Sequence, residues 1–261
     1  MRDRRLIMPG AEPYFARGGP TGVLLLHGFT ASPHEVKWLG QYLAARGHTI
    51  CAPRIAGHGT DYRDLARTTW QDWAASALDG YHMLRAQCDR VFVGGLSMGG
   101  ALALFTAAQV EVDGVIALAA PVLPFPGLSA NRLRIAKHLR PFTDQTDRSP
   151  FADYILAQQK QLGEPEIGRV RYGMWSTAAL EQLTRMIPHV NARLPEIRAP
   201  VLAVYSKADA TVLLPNLEAL KAGLTGAARV EAHVIEQSSH ILTQDMERET
   251  VFRLIVEFVG A

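Results

Sequence analysis

The chain of 261 residues is long enough for one large domain or two small ones, and its 48% hydrophobic and 20% charged residues are ordinary for a globular protein. That balance excludes a mainly disordered chain. The net charge of +2 provides no overall basic field that would favour a nucleic-acid partner. Cys51 and Cys88 are too few for a disulfide framework, and the sequence contains no CxxC or Cys/His cluster that would indicate a metal site.

Targeting and membrane signals are weak. The basic start of the chain, residues 1–5, is followed by only Leu6-Ile7-Met8 before Pro9, whereas a secretory signal needs roughly 7–15 apolar residues. The longest apolar run, residues 115–128, is interrupted by prolines and is shorter than the roughly 20 residues of a membrane span. We therefore expect a soluble cytoplasmic protein with no membrane span.

Strand and helix signals alternate over most of the chain. Short runs of β-branched and aliphatic residues predict strands at Thr21–Leu26, 48–53, Arg90–Leu96, 114–120, 200–205 and Val230–Ile235. The continuous apolar character of these runs is typical of strands buried on both faces. The alternation with helices indicates an α/β protein whose central sheet is mostly parallel and has helices on both faces.

Two of the intervening helices carry start signals. Ser32 and Glu35 have the spacing of a capping box, with Pro33 at the first helical position. Thr69 and Asp72 have the same spacing at the next helix. We expect both helices to begin at these residues.

The alternation stops between residues 121 and 194. This segment contains three helical stretches, at 130–139, 151–162 and 177–187, and no run that predicts a strand. We therefore expect a helical cap at 121–194, inserted into a core formed by residues 1–120 and 195–261.

The strongest chemical signal is Gly95-Leu96-Ser97-Met98-Gly99, a G-x-S-x-G pattern. It lies between a predicted strand and a predicted helix, which is the setting that a nucleophilic serine requires. A sharp turn there strains the backbone of Ser97 and raises its hydroxyl above the sheet, and the flanking glycines avoid collisions. The pattern predicts that Ser97 is a nucleophile.

A serine hydroxyl needs a base to take its proton. His240 follows the last predicted strand, where this architecture places the base, and its position favours it over the other histidines. The segment Gly57-His58-Gly59 is interpreted as a shaped loop without a chemical role. We expect His240 to be the base.

The histidine in turn needs an acid that orients it. Asp209 comes four residues after the predicted strand that ends at Tyr205. The order Ser97, Asp209, His240 matches the Ser…Asp…His order of this kind of fold. Asp245 lies too close behind His240, and we expect it to begin the last helix.

Acyl transfer also needs hydrogen-bond donors where negative charge develops on oxygen. One expected donor is the backbone N–H of Met98, directly after the nucleophile at a helix start. The second is the N–H of Phe29, in the loop after the first predicted strand, where Gly28 would allow a tight turn. These two amides would form an oxyanion hole.

Taken together, the segments Leu25 to Thr30, Gly57-His58-Gly59, Gly95 to Gly100, Asp209 and Ser239-His240 resemble the α/β-hydrolase superfamily. More narrowly, they look like its bacterial thermostable carboxylesterases and monoacylglycerol lipases. The resemblance runs from about residue 20 to the C-terminus and is weakest through the cap.

The resemblance implies the α/β-hydrolase fold, with a small helical cap inserted after the sixth strand over an apolar acyl pocket. It implies no cofactor and no metal, a small-molecule ester as substrate, and hydrolysis through an acyl-enzyme intermediate of short- to medium-chain esters or monoacylglycerols. In the cap, candidate pocket residues are Phe125, Phe142, Met174 and Trp175.

Other activities use the same machinery. A perhydrolase of the haloperoxidase type, a carbon–carbon bond hydrolase or a lactonase would carry the same triad, because specificity depends on the cap and the pocket. A non-catalytic ligand receptor built on a hydrolase body is a further alternative. The sequence leaves the natural substrate, the acyl-chain preference and the oligomeric state open.

Overall fold

A seven-stranded sheet forms the centre of the molecule in the computed structural model, which describes residues 6–145 and 152–260. The described strands of the chain are β1 (Tyr14–Ala16), β2 (Thr21–Leu26), β3 (Thr49–Ala52), β4 (Arg90–Leu96), β5 (Gly114–Leu118), β6 (Phe142–Asp144), β7 (Met174–Ser176), β8 (Val201–Ser206) and β9 (Val230–Ile235). Strands β6 and β7 do not belong to this sheet. The sheet has the order β1-β3-β2-β4-β5-β8-β9, and all its pairings are parallel except that of β1 with β3. The expected mostly parallel α/β sheet is confirmed.

Helices cover both faces of this sheet. The described helices of the chain are α1 (His34–Ala44), α2 (Tyr62–Leu65), α3 (Trp70–Arg85), α4 (Met98–Ala107), α5 (Ala130–Leu139), α6 (Ala152–Gln161), α7 (Thr177–Arg193), α8 (Pro215–Gly223) and α9 (Arg248–Gly260). Of these, α5 packs on α7 and not on the sheet. Alternate residues of β2 enter two separate hydrophobic clusters, Leu24 and Leu26 on one face and Val23 and Leu25 on the other. This two-sided burial explains why the strand reads as a continuous apolar run.

The N-terminal strand β1 was not predicted. It has three residues and pairs antiparallel with β3, with Tyr14 opposite Ala52 and Ala16 opposite Ile50. Three residues are too few for a period-2 pattern to be recognised. Because β1 is the single described strand before β2, the cap insertion follows the fifth strand of the chain, and the expected position after a sixth strand is wrong for this protein.

The segment between β5 and β8 contains the three expected helices. Helix α5 has the predicted bounds, and α7 extends six residues further, to Arg193. Helix α6 ends at Gln161, one residue before its predicted end, and its predicted first residue, 151, lies outside the described residues. The expectation of no strand is wrong, because β6 and β7 form a two-stranded antiparallel sheet in which Thr143 is opposite Trp175. Each strand has only three residues, so neither produces a readable pattern.

Helix α7 also contributes to the main core. Its residues Met186, Ile187 and Val190 belong to the same hydrophobic cluster as Val93 in β4. This part of the segment therefore packs into the main core, against α3 and α4. The division into core and cap at residues 121 and 194 stays a prediction.

No helix in the described ranges is both long and apolar enough to cross a lipid bilayer. The apolar run at residues 115–128 forms most of β5 and the irregular segment that follows it. Its prolines at 121, 124 and 126 remove backbone N–H donors, which favours an irregular segment over a helix.

Candidate active site

Ser97 occupies the sharp turn between β4 and α4. Its backbone has φ 55° and ψ −119°, a strained conformation for a residue with a side chain. The Ser97 N–H donates to the Leu118 carbonyl oxygen at 2.8 Å, and the Ser97 carbonyl oxygen accepts from the Ala101 N–H at 3.0 Å. These bonds to β5 and α4 hold the turn, and the strain predicted from the sequence is confirmed.

The glycines on either side of Ser97 are required by close backbone packing. A Cβ atom on Gly95 would lie 2.5 Å from the Leu26 carbonyl oxygen, and one on Gly99 would overlap that same oxygen. The turn at Ser97 therefore packs directly against the end of β2. The collision predicted for side chains two positions from the serine is confirmed.

Asp209 and His240 meet at the ends of the two neighbouring strands β8 and β9. The His240 Nδ1 atom lies 2.7 Å from the Asp209 Oδ2 atom. The other oxygen, Oδ1, accepts the N–H groups of Thr211 at 2.7 Å and Val212 at 3.0 Å, and the Asp209 side chain is fully buried. With the carboxylate so fixed, Nδ1–H of His240 is the donor, which leaves Nε2 as the nitrogen for proton exchange.

Asp245 forms hydrogen bonds with the loop that contains His240. Its Oδ2 atom accepts from the Ser239 N–H at 2.5 Å and from the Ser239 hydroxyl at 2.6 Å. Helix α9 begins at Arg248, so the expectation that Asp245 begins this helix is wrong by three residues. The sequence argument that Asp245 is not the partner of His240 agrees with these contacts.

Ser97 and His240 both line one cavity of about 690 Å³, whose wall also includes residues of the segment between β5 and β8. The apolar part of its wall includes Phe29, Phe125, Leu128, Trp175, Leu180 and Leu183. Its polar part includes Thr30, Glu35, Gln145 and Arg169. A cavity of this size and mixed lining suits a small organic molecule.

The four candidate pocket residues separate into two pairs. Phe125 and Trp175 line the cavity, whereas Phe142 and Met174 do not. The Phe142 ring packs edge-on against Tyr62, with ring centroids 4.9 Å apart. Met174 precedes Trp175 in β7, and successive residues of a strand point to opposite faces, which takes Met174 away from the wall. The expectation for Phe142 and Met174 is corrected accordingly.

Sequence analysis missed several residues of the wall. Leu180 and Leu183 are three positions apart on α7, and this helical spacing was the available signal. The contact between Glu35 and Arg169 gave no local signal, because the two residues are 134 positions apart and meet only in the tertiary fold.

Gly28 and Phe29, in the loop after β2, both line the cavity. Within the described residues, neither the Phe29 N–H nor the Met98 N–H donates to a protein acceptor. Met98 is the first residue of α4, where backbone N–H groups lack intrahelical partners. Both amides remain the candidate oxyanion donors.

The reason for glycine at position 28 differs from the expected tight turn. The left-handed backbone in this loop belongs to Thr30, with φ 62°, and not to Gly28. A Cβ on Gly28 would lie 2.9 Å from the Glu35 Oε2 atom, which accepts the Gly28 N–H at 2.7 Å. Glycine therefore leaves room for the close approach of the Glu35 carboxylate.

The predicted capping box at α1 is wrong. Helix α1 begins at His34, and no side chain caps it. The Ser32 hydroxyl instead donates to the Val170 carbonyl oxygen at 2.8 Å, and the Glu35 carboxylate binds Gly28 and Arg169. The capping box at α3, with Thr69 and Asp72, is confirmed.

Two buried histidines support the loop after β2. The Ile55 N–H donates to His27 Nε2 at 3.2 Å, so Nδ1 carries the proton and donates to the Gly28 carbonyl oxygen at 3.0 Å. Burial lowers the pKa of His27 to about 4. Burial, followed by the nearby His27, lowers the pKa of His58 well below its usual value. Both rings are therefore neutral near pH 7.

His58 forms part of the loop that the sequence predicted. Gly57 and Gly59 on either side have φ 75° and 65°, which confirms a shaped turn. The His58 ring lies 5.1 Å from His27 and 6.3 Å from Phe29, measured between centroids. It packs behind the loop and is not a residue of the cavity wall.

Comparisons with known proteins agree with this architecture. A family model described as the alpha/beta hydrolase family matches residues 23–254. A thermostable monoacylglycerol lipase from Bacillus sp. (strain H-257) is 33% identical over 99% of this chain and 98% of its own length. A carboxylesterase from Bacillus subtilis (strain 168) is 27% identical, covering 95% and 96% respectively.

Solved structures give the same result. A structure from the metagenome-derived lipolytic enzymes LipS and LipT has a TM-score of 0.86 at 27% identity, covering 97% of this chain and 99% of that chain. The monoacylglycerol lipase of Paleococcus ferrophilus has a TM-score of 0.73 at 18% identity, covering 95% and 98%, which is a likeness of fold.

The packing of the turn against β2 predicts that Gly99→Ala is severely destabilising. Its Cβ would overlap the Leu26 carbonyl oxygen, and backbone cannot move aside as a side chain can. We expect a loss of about 3 kcal/mol in the free energy of unfolding, measured by urea denaturation. Gly173→Ala is the matched control, because a Cβ there meets nothing within 4 Å. Equal stabilities of the two variants would contradict the packing argument.

The buried neutral histidines predict a stability that depends on pH. A lowered folded pKa means that the stabilisation is fully present above the unfolded pKa of about 6.5 and is lost as the pH falls toward the folded value. His27 alone should remove about 2 kcal/mol between pH 7.5 and pH 5. Urea denaturation at the two pH values measures this change.

Two variants identify the groups responsible for the pH dependence. His58→Phe should reduce the loss of stability between pH 7.5 and pH 5, because one buried imidazole is removed. His82→Gln, at an exposed histidine, should leave the loss unchanged. A wild-type stability that is constant over this range would contradict the assignment of neutral buried rings.

Proposed function

The chain belongs to the alpha/beta hydrolase family, and from that premise we propose that it is a serine hydrolase that cleaves carboxylic esters through an acyl-enzyme intermediate. The observation that carries the proposal is the 2.7 Å contact between His240 and Asp209, with His240 and Ser97 on the wall of one cavity. A nucleophile, a base and an acid are the three parts that such a reaction requires.

In the first step, the Ser97 Oγ atom attacks the ester carbonyl carbon while His240 Nε2 takes the hydroxyl proton. Asp209 holds the ring through Nδ1 and stabilises the positive charge that the ring acquires. The new Oγ–C bond converts the carbonyl oxygen to an oxyanion. The two backbone donors on Asp209 keep its carboxylate in place during this change.

The Phe29 and Met98 N–H groups are the proposed donors to the oxyanion. Both belong to the main chain. Met98 follows Ser97 directly at the start of α4, and Phe29, in the loop after β2, lines the same cavity as Ser97. The start of α4 adds the partial positive charge of a helix N-terminus. Donors that already point to the position of the oxyanion before the reaction stabilise the transition state, because the protein does not have to rearrange.

The intermediate then collapses with cleavage of the ester C–O bond, and His240 returns its proton to the leaving alcohol. Water enters, gives a proton to His240 and attacks the acyl carbon. The second tetrahedral intermediate releases the carboxylic acid as Ser97 recovers its proton from His240. No other reactant is needed for this balance.

The two parts of the cavity wall suggest the substrate class. The apolar part, with Phe125, Trp175 and Leu180, suits an acyl chain, and the polar part, with Thr30 and Gln145, suits a hydroxylated alcohol. The similarity to a monoacylglycerol lipase and a carboxylesterase supports the same choice. We therefore propose short- to medium-chain acyl esters or monoacylglycerols as substrates.

Replacement of the nucleophile tests the proposal. With p-nitrophenyl esters of two to sixteen acyl carbons, Ser97→Ala should lower kcat by about 10⁵- to 10⁶-fold, because the triad acts as a unit. Ser129→Ala is the control, since the Ser129 hydroxyl does not cap α5 and Ser129 is not a residue of the cavity wall. We expect it to stay within a few-fold of wild type, and undiminished hydrolysis by Ser97→Ala would contradict the proposal.

Replacement of the acid tests the role of Asp209. Asp209→Asn keeps the shape of the side chain but favours the wrong tautomer of His240, and kcat should fall by about 10⁴-fold. Asp245→Asn is the matched control, because Asp245 binds Ser239 and not His240. A loss from Asp245→Asn as large as that from Asp209→Asn would contradict the assignment.

A further inference from the structure

The loop that carries Phe29 is held by a buried carboxylate from α1. Glu35 is 4% exposed, and its Oε2 atom accepts the Gly28 N–H at 2.7 Å. Glu35 also lies in the first turn of α1, where a negative charge is favoured by the helix dipole. A hydrogen bond from a backbone N–H to a charged oxygen is among the stronger ones in proteins.

This contact helps to fix the orientation of the next peptide group. The Gly28 N–H is bound by Glu35, while the Gly28 carbonyl oxygen accepts from His27 Nδ1 at 3.0 Å and from the Ala31 N–H at 3.3 Å. That carbonyl and the Phe29 N–H belong to one planar peptide group, so fixing one end fixes the direction of the other. Glu35 holds the preceding peptide group, between His27 and Gly28, so it acts on the Phe29 N–H through the Gly28 backbone and without touching it.

The second carboxylate oxygen of Glu35 binds the cap. Arg169 Nη2 lies 3.0 Å from Glu35 Oε1, and both side chains are largely buried at the cavity wall. An uncompensated charge in such a place is costly, so the guanidinium balances the charge of the carboxylate. The pair joins a residue of the cap to the loop beside Ser97.

Neighbouring residues of the cap hold the same loop. The Tyr172 N–H donates to the Thr30 carbonyl oxygen at 2.9 Å, and the Ser32 hydroxyl donates to the Val170 carbonyl oxygen at 2.8 Å. Thr30 has the left-handed backbone of the loop, a conformation that persists only where its surroundings fix it. The segment 169–172 therefore fastens the loop at several points.

Glu35 also contacts the loop of the base. The Thr243 hydroxyl donates to the Glu35 backbone carbonyl oxygen at 2.6 Å, three residues after His240. One residue of α1 thus contacts the loop of the oxyanion donor, the cap and the loop of the base.

We propose that Glu35 is a positioning residue that fixes the oxyanion donor Phe29, and that Arg169 of the cap holds Glu35 in place. The inference rests on the proposed function, because it needs Ser97 chemistry and an oxyanion at Phe29. Its consequence is specific. Loss of Glu35 loosens a donor that acts in the transition state, so kcat falls while KM changes little.

Two substitutions of Glu35 separate this role from a merely structural ion pair. Glu35→Ala and Glu35→Gln both remove the charge that pairs with Arg169, but the glutamine oxygen can still accept the Gly28 N–H. If the ion pair only joins the cap to the core, Glu35→Ala and Glu35→Gln should lower kcat equally. A positioning role predicts that the kcat of Glu35→Gln exceeds that of Glu35→Ala.

The experiment measures kcat and KM with p-nitrophenyl butyrate, the inhibition constant of an alkyl trifluoromethyl ketone, and Tm. Ser97 adds to the ketone carbon, its proton passes to His240, and the ketone oxygen becomes an oxyanion in the proposed hole. We expect Glu35→Ala to lower kcat by about 10- to 100-fold, to keep KM within about threefold, and to weaken ketone binding by a factor similar to its loss in kcat/KM.

Glu181→Gln is the matched control. Glu181 is a buried carboxylate of α7 that binds Lys137 at 2.8 Å and Arg185 at 2.9 Å, and it does not line the cavity. This variant should lower Tm while its kcat and its ketone inhibition constant stay within about twofold of wild type. A similar loss of kcat in Glu181→Gln would overturn the inference, because any weakened ion pair would then suffice.

Arg169→Met supplies a second, independent variant. It should lower kcat by several-fold, and the double variant Glu35→Gln/Arg169→Met should lose less than the product of the two single losses, because the residues act together. If Glu35→Ala does not fold, this cycle carries the test, and independent, multiplicative losses would overturn the inference.

The outcomes also separate this inference from the proposed function. If wild type has no Ser97-dependent esterase activity, the proposed function fails. If wild type is active and Glu35→Ala keeps kcat and ketone binding, only the role of Glu35 fails. A rise in KM alone would assign Glu35 to substrate contact and would likewise overturn the positioning role.

Discussion

The close packing of the turn at Ser97 against the end of β2 is the constraint on which the site depends. The main chain at Gly99 lies so near the Leu26 carbonyl oxygen that no side chain fits between them. This contact brings the start of α4 next to the loop after β2, and so brings the N–H groups of Met98 and Phe29 to the same region. Parallel neighbours in the sheet make this possible, because their carboxyl ends share one edge.

Asp209 and His240 lie at the same edge of the sheet. Strands β8 and β9 end beside each other, and the loops that follow them place Asp209 against His240. Residues of the segment between β5 and β8 complete the cavity, and the apolar and polar parts of its wall come from different elements. Through Arg169 and Tyr172, the cap also fastens the loop of Phe29. The shape of the cavity and the position of the proposed oxyanion donor Phe29 therefore depend on a common set of contacts.

The sequence predicted the features that short segments encode. The turn at Ser97, the chain order of Ser97, Asp209 and His240, and the parallel sheet all follow from local patterns and known architecture. The three-residue strands β1, β6 and β7 did not, because they are too short to have a readable period. The pairing of Glu35 with Arg169 spans 134 positions and has no local signature. Ser32 and Glu35 have the spacing of a capping box but do not form one, because their side chains bind Val170 and Gly28 in the tertiary structure.

The most direct measurement of the central claim is the location of a covalent acyl group during turnover. The protein is mixed with a p-nitrophenyl ester, quenched in acid within milliseconds, digested and analysed by mass spectrometry. The account predicts that the peptide with Ser97 gains the mass of the acyl group, and that Asp209→Asn changes the rate of labelling but not its position. Turnover with no acylated peptide, or with the acyl group on another residue, would contradict it.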